Sequence, residues 1–273
     1  MKEKISLAGD LGSGKSTVSK ILIERLGAEY YSTGSIVRSI AEKRGMTVVE
    51  LNVYMEDHPE IDREIDAGVA ALSEIDKTLI IDSRMAWHFT KGTFKVYLST
   101  DVETSALRIM SANRKGEHAL TLEETIAETR TRTLSERKRY MTQYGVNIKD
   151  LFNYDLIVDT TYATPGEIAE CIISSFESWQ RDKSFKCAYI SPERLNYPDD
   201  EQDAELVAAA SQSLELTGTA PEVRVFESDG SFYIKDGAPS ALAYAFSSSP
   251  FVPTTLIRGE IGEGSFVKMK NSL

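Results

Sequence analysis

The stretch GDLGSGKS, residues 9–16, has the residue types and the spacing of a loop that binds phosphate. Two glycines flank four residues and are followed by Lys15 and Ser16, as in the phosphate-loop pattern. Glycines let backbone N–H groups converge on phosphate oxygens, and the next helix directs its positive end toward them. Lys15 would bridge the β- and γ-phosphates, and the Ser16 hydroxyl would bind Mg2+. The residues predicted to bind a nucleoside triphosphate are Gly9, Gly12, Ser13, Gly14, Lys15, Ser16 and Thr17.

The surrounding sequence places this loop between a strand and a helix. ISLAG, residues 5–9, is a short apolar run typical of a buried parallel strand. After the loop, Val18, Leu22 and Leu26 recur at helical spacing before Gly27. A chance glycine-rich turn is the alternative, and the context of strand, loop and amphipathic helix disfavours it.

A second turn, Ser32-Thr33-Gly34, precedes a helical stretch that carries Arg38. Glycine permits close backbone approach, and a guanidinium can bind a monophosphate through two hydrogen bonds. These four residues are therefore candidates for binding a phosphorylated acceptor. Alternatively, Arg38 is an exposed helix residue, as charged helix residues mostly are.

The third predicted strand ends in LIIDSRMAW, residues 79–87, and places Asp82 beside the phosphate loop. A carboxylate at that position can bind Mg2+ directly or through water. Arg84 would point to the same side as Asp82 if the strand continued. The alternative is an ion pair between Asp82 and Arg84 that has only a structural role.

The densest charge cluster is RTRTLSERKRY, residues 130–140. On a helix, Arg132, Glu136 and Arg139 lie on one face, because residues four and seven apart nearly superimpose. Glu136 could hold both arginines while they stabilise the charge of a transferring phosphoryl group. The alternatives are an exposed charged helix or a basic patch for nucleic acid, and the acidic remainder of the chain disfavours the latter.

Two more arginines, Arg108 and Arg114, lie in a polar stretch after the fourth predicted strand. This stretch, RIMSANRKGE at residues 108–117, has the composition of a loop. A flexible segment there could close over the nucleotide and exclude water, so both arginines are predicted to bind the nucleotide.

Composition restricts the possible functions. The 273 residues are 41% hydrophobic, no apolar run is long enough to span a bilayer, and the N-terminus enters a strand instead of forming a signal peptide. Two cysteines without metal spacing favour a reduced, cytoplasmic setting. The net charge of −11 argues against a non-specific nucleic-acid partner, whereas locally clustered basic residues can still bind a small anionic ligand.

Strand-like and helix-like segments alternate from Lys4 to about Trp179. The alternation predicts an α/β fold with a parallel five-stranded sheet flanked by helices, and a ligand beyond the carboxyl ends of the strands. The predicted strands cover 4–9, 28–33, 77–83, 94–100 and 154–161, and the predicted helices 35–45, 60–74 and 122–145. We assign residues 1–182 to this domain.

The pattern changes after the polar connection at residues 180–187. An Ala-rich helical stretch at 203–216 precedes EVRVFESDGSFYIKDG, in which SDGS separates two alternating runs and predicts a hairpin. A last strand is predicted within 251–261. We therefore predict a smaller C-terminal α+β domain over residues 186–273.

The first two-thirds of the chain resembles the cytidylate kinases, especially the short archaeal type, among the nucleoside monophosphate kinases. The resemblance covers residues 4 to about 179 and implies ATP-dependent transfer of the γ-phosphate to CMP or dCMP with Mg2+. Lys15, Arg84, Arg132 and Arg139 would be catalytic, with Glu136 orienting the arginines or touching the base. Arg38 would grip the acceptor phosphate, Ser32, Thr33 and Gly34 would line its pocket, and Arg108 and Arg114 look like lid arginines. The landmarks, in the family's order, are GDLGSGKSTVSKIL, STGSIVRSIAEKRGM, HPEIDREID, IIDSRMAW, SERKRYMTQYGVNIKDL and YDLIVDTT.

The C-terminal domain is similar to the ParB/sulfiredoxin-like domains in ISPERL, in its hairpin and in VPTTLI. Where nucleotide-binding members carry a basic pair, this chain reads DGAPS, residues 236–240. The resemblance therefore implies packing, oligomerisation or regulation instead of phosphate binding. For the whole chain, two alternatives stay open: a kinase for another nucleotide or small metabolite, and an ATP-binding regulatory module without transfer.

Overall fold

One continuous sheet forms the frame that holds the candidate residues. The computed structural model describes residues 3–112, 121–199, 202–261 and 266–268, and these contain eleven hydrogen-bonded strands. The strands are β1 Lys4–Gly9, β2 Glu29–Ser32, β3 Leu79–Asp82, β4 Thr93–Ser99, β5 Leu156–Asp159, β6 Cys187–Ile190, β7 Leu195–Pro198, β8 Val223–Ser228, β9 Ser231–Asp236, β10 Val252–Leu256 and β11 Phe266–Lys268. The helices are α1 Lys15–Leu26, α2 Thr33–Arg44, α3 Val48–Tyr54, α4 Pro59–Ala71, α5 Ala86–Phe89, α6 Val102–Ser111, α7 Leu122–Tyr144, α8 Pro165–Arg181, α9 Ala204–Thr217 and α10 Ala238–Phe246.

The first five strands are parallel and lie in the order β2-β3-β1-β4-β5, which confirms the predicted parallel sheet. All six residues of β1 are buried, as expected of a central strand covered on both faces. β1 pairs Leu7 with Asp82 of β3, and Gly9 with Leu98 of β4. The end of β1 therefore delivers the phosphate loop to the carboxyl edge of the sheet, where ligands of such sheets bind.

The sheet continues past β5, the last strand of the predicted five-stranded sheet. β6 pairs in parallel with β5, and the order then runs β6-β10-β8-β9-β7-β11. The five-stranded sheet is thus one part of a larger sheet. An apolar strand reveals that its faces are buried but does not reveal which strand lies at its edge, so the sequence did not show this extension. The division into domains 1–182 and 186–273 stays a prediction.

The predicted hairpin, the Ala-rich helix and a strand within 251–261 are all present after β6, whereas β7 and β11 were not predicted. β8 and β9 form an antiparallel hairpin, and the turn between them contains Asp229 and Gly230 at φ 48° and 78°. The left-handed conformation is the one that Asp and Gly tolerate best, which explains the turn signal SDGS. The Ala-rich stretch forms α9, which packs against α10.

A single hydrophobic cluster contains residues from both sides of the predicted domain boundary. Trp87, Tyr97 and Ile157 pack in it together with Ile190 and Val252. Apolar burial is the main stabilising contribution to a fold, so the two regions share part of their stabilisation. None of the helices in the described ranges is both long and apolar enough to cross a membrane.

Local capping residues set the start of α7 and of α6. α7 begins at a capping box in which Thr121 and Glu124 bond each other's backbone, and it ends at Gly145, as predicted. The stretch from Arg108 was predicted to be a loop, and this is wrong for residues 108–111, which form the last turn of α6. Asp101 caps the start of α6 by accepting from the Thr104 N–H. The polar composition of residues 108–117 predicted a loop where the helix still continues.

A buried ion pair joins the end of β5 to the C-terminal region. Arg194 lies 3.6 Å from Asp159, donates to Thr161 Oγ1 at 2.9 Å and donates to the Gly230 carbonyl at 2.7 Å. Burial raises the pKa of Asp159, and Arg194 opposes that rise. Arg194 thereby stabilises the carboxylate and connects β5 with the β8–β9 turn.

We predict that Arg194→Met lowers the free energy of unfolding by about 3–5 kcal/mol, because it leaves the Asp159 carboxylate buried without its cation. Arg224→Met is the matched control, since Arg224 pairs with Asp236 at the surface and exposed pairs contribute about 1 kcal/mol or less. Urea unfolding of the full chain measures both. Equal, small losses in the two variants would contradict the prediction.

Candidate active site

A cavity of about 760 Å³ lies between the phosphate loop, the start of α2, helices α3 and α4, the end of β3 and one face of α7. The structure brings most of the predicted site residues to this one cavity. Those in its lining are Gly12, Ser13, Gly14, Lys15, Ser16, Ser32, Thr33, Gly34, Arg38, Asp82, Arg84, Arg132, Glu136 and Arg139. Gly9 and Thr17 flank the loop outside this lining, and Arg114 lies outside the described residues.

Close backbone packing explains two of the glycines in the loop. A Cβ atom on Gly9 would lie 2.4 Å from the Leu98 carbonyl oxygen, and one on Gly12 would lie 2.5 Å from the Ser105 carbonyl oxygen. Both residues also have positive φ, at 145° and 71°. Any larger residue would push the loop away from β4 and α6, and so would change its curvature.

Lys15 folds back over the loop that carries it. Its Nζ donates to the carbonyl oxygens of Gly9 at 3.2 Å and Asp10 at 2.8 Å, and to Ser13 Oγ at 3.3 Å. Burial, and secondly the nearby Arg84, lower the pKa of Lys15 to about 7. An anionic ligand in the cavity would favour the charged ammonium, so the site is electrostatically suited to phosphate.

Asp10 anchors the phosphate loop, a role that no local pattern in the sequence predicts. Its carboxylate accepts hydrogen bonds from the Thr100 N–H at 3.0 Å and the Tyr97 hydroxyl at 2.8 Å, and it pairs with Lys149. Burial opposes ionisation, but Lys149 is the main group that keeps the pKa of Asp10 low. The loop is thereby attached to β4 and to the segment after α7. Asp10 lies inside the quoted motif, but its partner is 139 residues away and no spacing rule links them.

Glu136 lies between two arginines in the cavity wall. It accepts from Arg84 Nε at 2.8 Å and from Arg132 Nε at 3.1 Å. Burial alone would raise the pKa of Glu136, but Arg84 and Arg132 overcome it and lower the pKa to about 2. Arg84 also donates to the Gly9 carbonyl at 2.9 Å, which ties the cluster to the phosphate loop.

Two predicted pairings are wrong in detail. Glu136 was expected to hold Arg132 and Arg139, but it pairs with Arg132 and Arg84, which comes from a different element. The alternative ion pair between Asp82 and Arg84 does not form, because Arg84 pairs with Glu136 instead. Asp82 accepts a hydrogen bond from the Tyr30 hydroxyl at 3.0 Å. Helical spacing identified the face of α7 but not the strand end that packs against it.

Arg139 is held by α3 and α4. It lies 2.8 Å from Asp62, and its Nη1 donates to the Asn52 carbonyl oxygen at 2.6 Å and to Asn52 Oδ1 at 3.1 Å. α3 was not among the predicted helices, so the sequence offered no partner for Arg139 apart from Glu136. The guanidinium remains in the cavity wall, beyond the Arg84–Glu136–Arg132 cluster.

The remaining predicted arginines differ in position. Arg38 lines the cavity from α2 and donates to Ser35 Oγ at 3.3 Å. Arg108 does not line it; its Nη2 donates to the Thr160 and Thr161 carbonyl oxygens at 2.6 and 3.2 Å. Arg108 therefore joins α6 to the loop after β5 and is not part of a mobile loop.

The oxygen donors suit a magnesium ion. Ser16 and Asp82 both line the cavity, and Mg2+ binds hard oxygen ligands such as a hydroxyl and a carboxylate while keeping several waters. Within the described ranges no group of three or more His, Cys, Asp or Glu side chains could hold a metal by itself. A magnesium ion shared between a few protein oxygens and bound phosphates fits this donor set.

Comparison with known proteins supports one family. Residues 4–162 match the cytidylate kinase-like family. The chain is 33% identical over 186 residues to a cytidylate kinase from Thermoplasma volcanium, covering 67% of this chain and 95% of that protein. It is 37% identical to a cytidylate kinase from Pyrococcus furiosus, covering 60% and 83%. It is also 38% identical to an S-adenosylmethionine-dependent nucleotide dehydratase from Lacinutrix mariniflava, with 65% of this chain aligned to 36% of that protein.

We predict that Glu136→Gln lowers the free energy of unfolding by about 3 kcal/mol near neutral pH, because two largely buried guanidinium groups lose their anion. The wild-type contribution is present above the ordinary glutamate pKa of 4.5 and is lost as pH falls toward about 2. The difference between variant and wild type should therefore shrink across that window. Urea titrations at several pH values measure it.

Glu170→Gln is the control for this measurement, because Glu170 pairs with Arg25 at the surface. A loss in Glu136→Gln that stays constant from pH 7 to pH 3 would show that the charge of Glu136 is not the stabilising element.

Proposed function

This chain belongs to the cytidylate kinase-like family, and we propose that it transfers the γ-phosphate of ATP to CMP or dCMP with Mg2+. The observation that carries the proposal is the convergence of Lys15, Arg38, Arg84 and Arg132 on one cavity of a protein whose net charge is −11. Cationic side chains grouped beside a phosphate loop in this way suit two phosphorylated reactants held together.

The donor side of the reaction is assigned to the phosphate loop. Its backbone N–H groups and the start of α1 would hold the phosphates, and Lys15 would exchange its carbonyl contacts for phosphate oxygens. Ser16 and Asp82 would hold Mg2+, which neutralises charge on the phosphate oxygens when bound.

The acceptor side is assigned to the arginines of α2, α7 and the end of β3. Arg38 would bind the acceptor phosphate, and Arg84 and Arg132 would contact the phosphoryl group as it passes in line between donor and acceptor. The acceptor phosphate oxygen is already nucleophilic, so no general base is required and positioning provides most of the catalysis.

Glu136 holds Arg84 and Arg132 in a fixed orientation. Its carboxylate accepts from Nε of both Arg84 and Arg132, and Arg84 Nη1 also donates to the Gly9 carbonyl, so both guanidinium groups have a defined orientation in the cavity wall. Preorganised donors of this kind stabilise developing charge without reorganisation during the reaction.

The remaining assignments concern the setting and the C-terminal region. The negative net charge supports small nucleotides over nucleic acid as partners, and the free thiols of Cys171 and Cys187 are consistent with a cytoplasmic setting. Residues 186–273 would serve packing, oligomerisation or regulation, as their resemblance to the ParB/sulfiredoxin-like domains implies.

We predict that, with ATP and Mg2+, CMP and dCMP are phosphorylated with kcat/KM about tenfold or more above UMP and AMP. The site would discriminate between acceptors because its polar groups would pair with the edge of cytosine and would be left unpaired by uracil or adenine. Initial rates of nucleoside diphosphate formation measure it. Faster turnover of UMP or AMP than of CMP and dCMP would assign the kinase to another acceptor.

We predict that Arg132→Ala lowers kcat for CMP about a thousandfold, because a guanidinium is lost where phosphoryl charge develops. ATP affinity should change little, which a direct binding titration measures. Arg137→Ala, on the exposed side of the same helix, is the matched control. An ATP-dependent module without transfer would show no CMP phosphorylation in wild type and no response to either substitution.

A further inference from the structure

The cavity lining contains two chemically different groups of side chains. Lys15, Arg84 and Arg132 form a cationic group, whereas Asp62 and Asp66 of α4 contribute carboxylates. These carboxylates belong to the stretch HPEIDREID, residues 58–66, which has no role in the proposed phosphoryl transfer. Apolar side chains, among them Met55 and Ile65, complete that part of the wall. A flat ring with a polar edge would fit such a lining.

The two carboxylates are buried and are oriented by α7. Asp62 Oδ2 accepts from Gln143 at 3.1 Å and lies 2.8 Å from Arg139 Nε, and Asp66 Oδ2 accepts from the Tyr144 hydroxyl at 3.1 Å. Asp62 and Asp66 are 2% and 4% exposed. A carboxylate has about four acceptor positions, so these contacts leave each carboxylate able to accept further hydrogen bonds.

The charges around Asp62 and Asp66 are unequal. Arg139 pairs with Asp62, whereas burial, and then the neighbouring Asp62, raise the pKa of Asp66 to about 7 although Tyr144 and Arg139 oppose the rise. Asp66 is therefore a buried carboxyl with an incomplete set of donors. A ligand that donates a hydrogen bond to it would stabilise its ionised form.

The distance along α7 agrees with the size of a nucleotide. Glu136 holds the phosphate-facing arginines, and Gln143 and Tyr144 hold the carboxylates seven and eight residues later. Seven residues of α-helix span about 10 Å, which is comparable with the separation of phosphate and base edge in a mononucleotide. One ligand could therefore contact both the arginines and the carboxylates.

We propose that Asp66, with Asp62 beside it, accepts a hydrogen bond from the exocyclic amino group of the acceptor base and thereby selects CMP over UMP. This inference rests on the proposed function. Cytosine presents an amino donor where uracil presents a carbonyl oxygen. A carboxylate accepts a hydrogen bond from the cytosine amino group, but it cannot accept one from the uracil carbonyl, which is itself an acceptor. Asp66 is accordingly a specificity residue, distinct from the groups that bind phosphate.

The test is Asp66→Asn, which keeps the shape of the side chain and adds an N–H donor that can bond the uracil carbonyl. The ratio of kcat/KM for CMP to kcat/KM for UMP should fall about ten- to a hundredfold. The fall should come mainly from a higher KM for CMP and a higher kcat/KM for UMP. Glu64→Gln, an equal charge change on the exposed side of α4, should leave the ratio unchanged.

Asp66→Ala provides a second variant if the Asn protein does not fold, and it should lower the same ratio without raising UMP turnover. A parallel loss for CMP and UMP in the variants, with the ratio unchanged, would overturn the inference and show a structural role for Asp66. Wild-type protein that phosphorylates CMP in the same assay keeps the proposed function intact in that case. Wild-type protein that fails to phosphorylate CMP would refute the proposed function itself.

Discussion

The arrangement of the cavity depends on one buried carboxylate that holds two guanidinium groups. Without Glu136, the largely buried guanidinium groups of Arg84 and Arg132 would repel each other. With it, the two arginines come from different elements and still keep fixed positions beside the phosphate loop. Cations can therefore be concentrated at one place in a chain that is acidic overall.

Contacts from several segments of the chain position the phosphate loop. Its glycines pack against the backbone of β4 and α6, Asp10 fixes it to Thr100 and Lys149, and Arg84 bonds its first carbonyl. These contacts are made by segments that are far apart in the chain. The loop conformation is thus a property of the completed sheet as much as of its glycines.

The C-terminal region is connected to the same framework. β6 continues the sheet from β5, a shared hydrophobic cluster crosses the predicted boundary, and Arg194 compensates the buried charge of Asp159. Thr161, which accepts from Arg194, lies in the loop whose carbonyl oxygens bond Arg108. The two regions are therefore joined by contacts at the end of β5.

The sequence by itself determined the features that depend on local pattern: the phosphate loop between β1 and α1, the parallel strands, the long helix α7 and the hairpin β8–β9. Periodicity, glycine and caps act within a few residues, so these elements could be predicted. Only the tertiary structure decided the pairings: Glu136 with Arg84 instead of Arg139, Arg139 with Asp62 and Asn52, Asp10 with Lys149, and β6 with β5. Each of these joins segments whose separation in the chain carries no information about their separation in space, because the packing of whole helices and strands sets it.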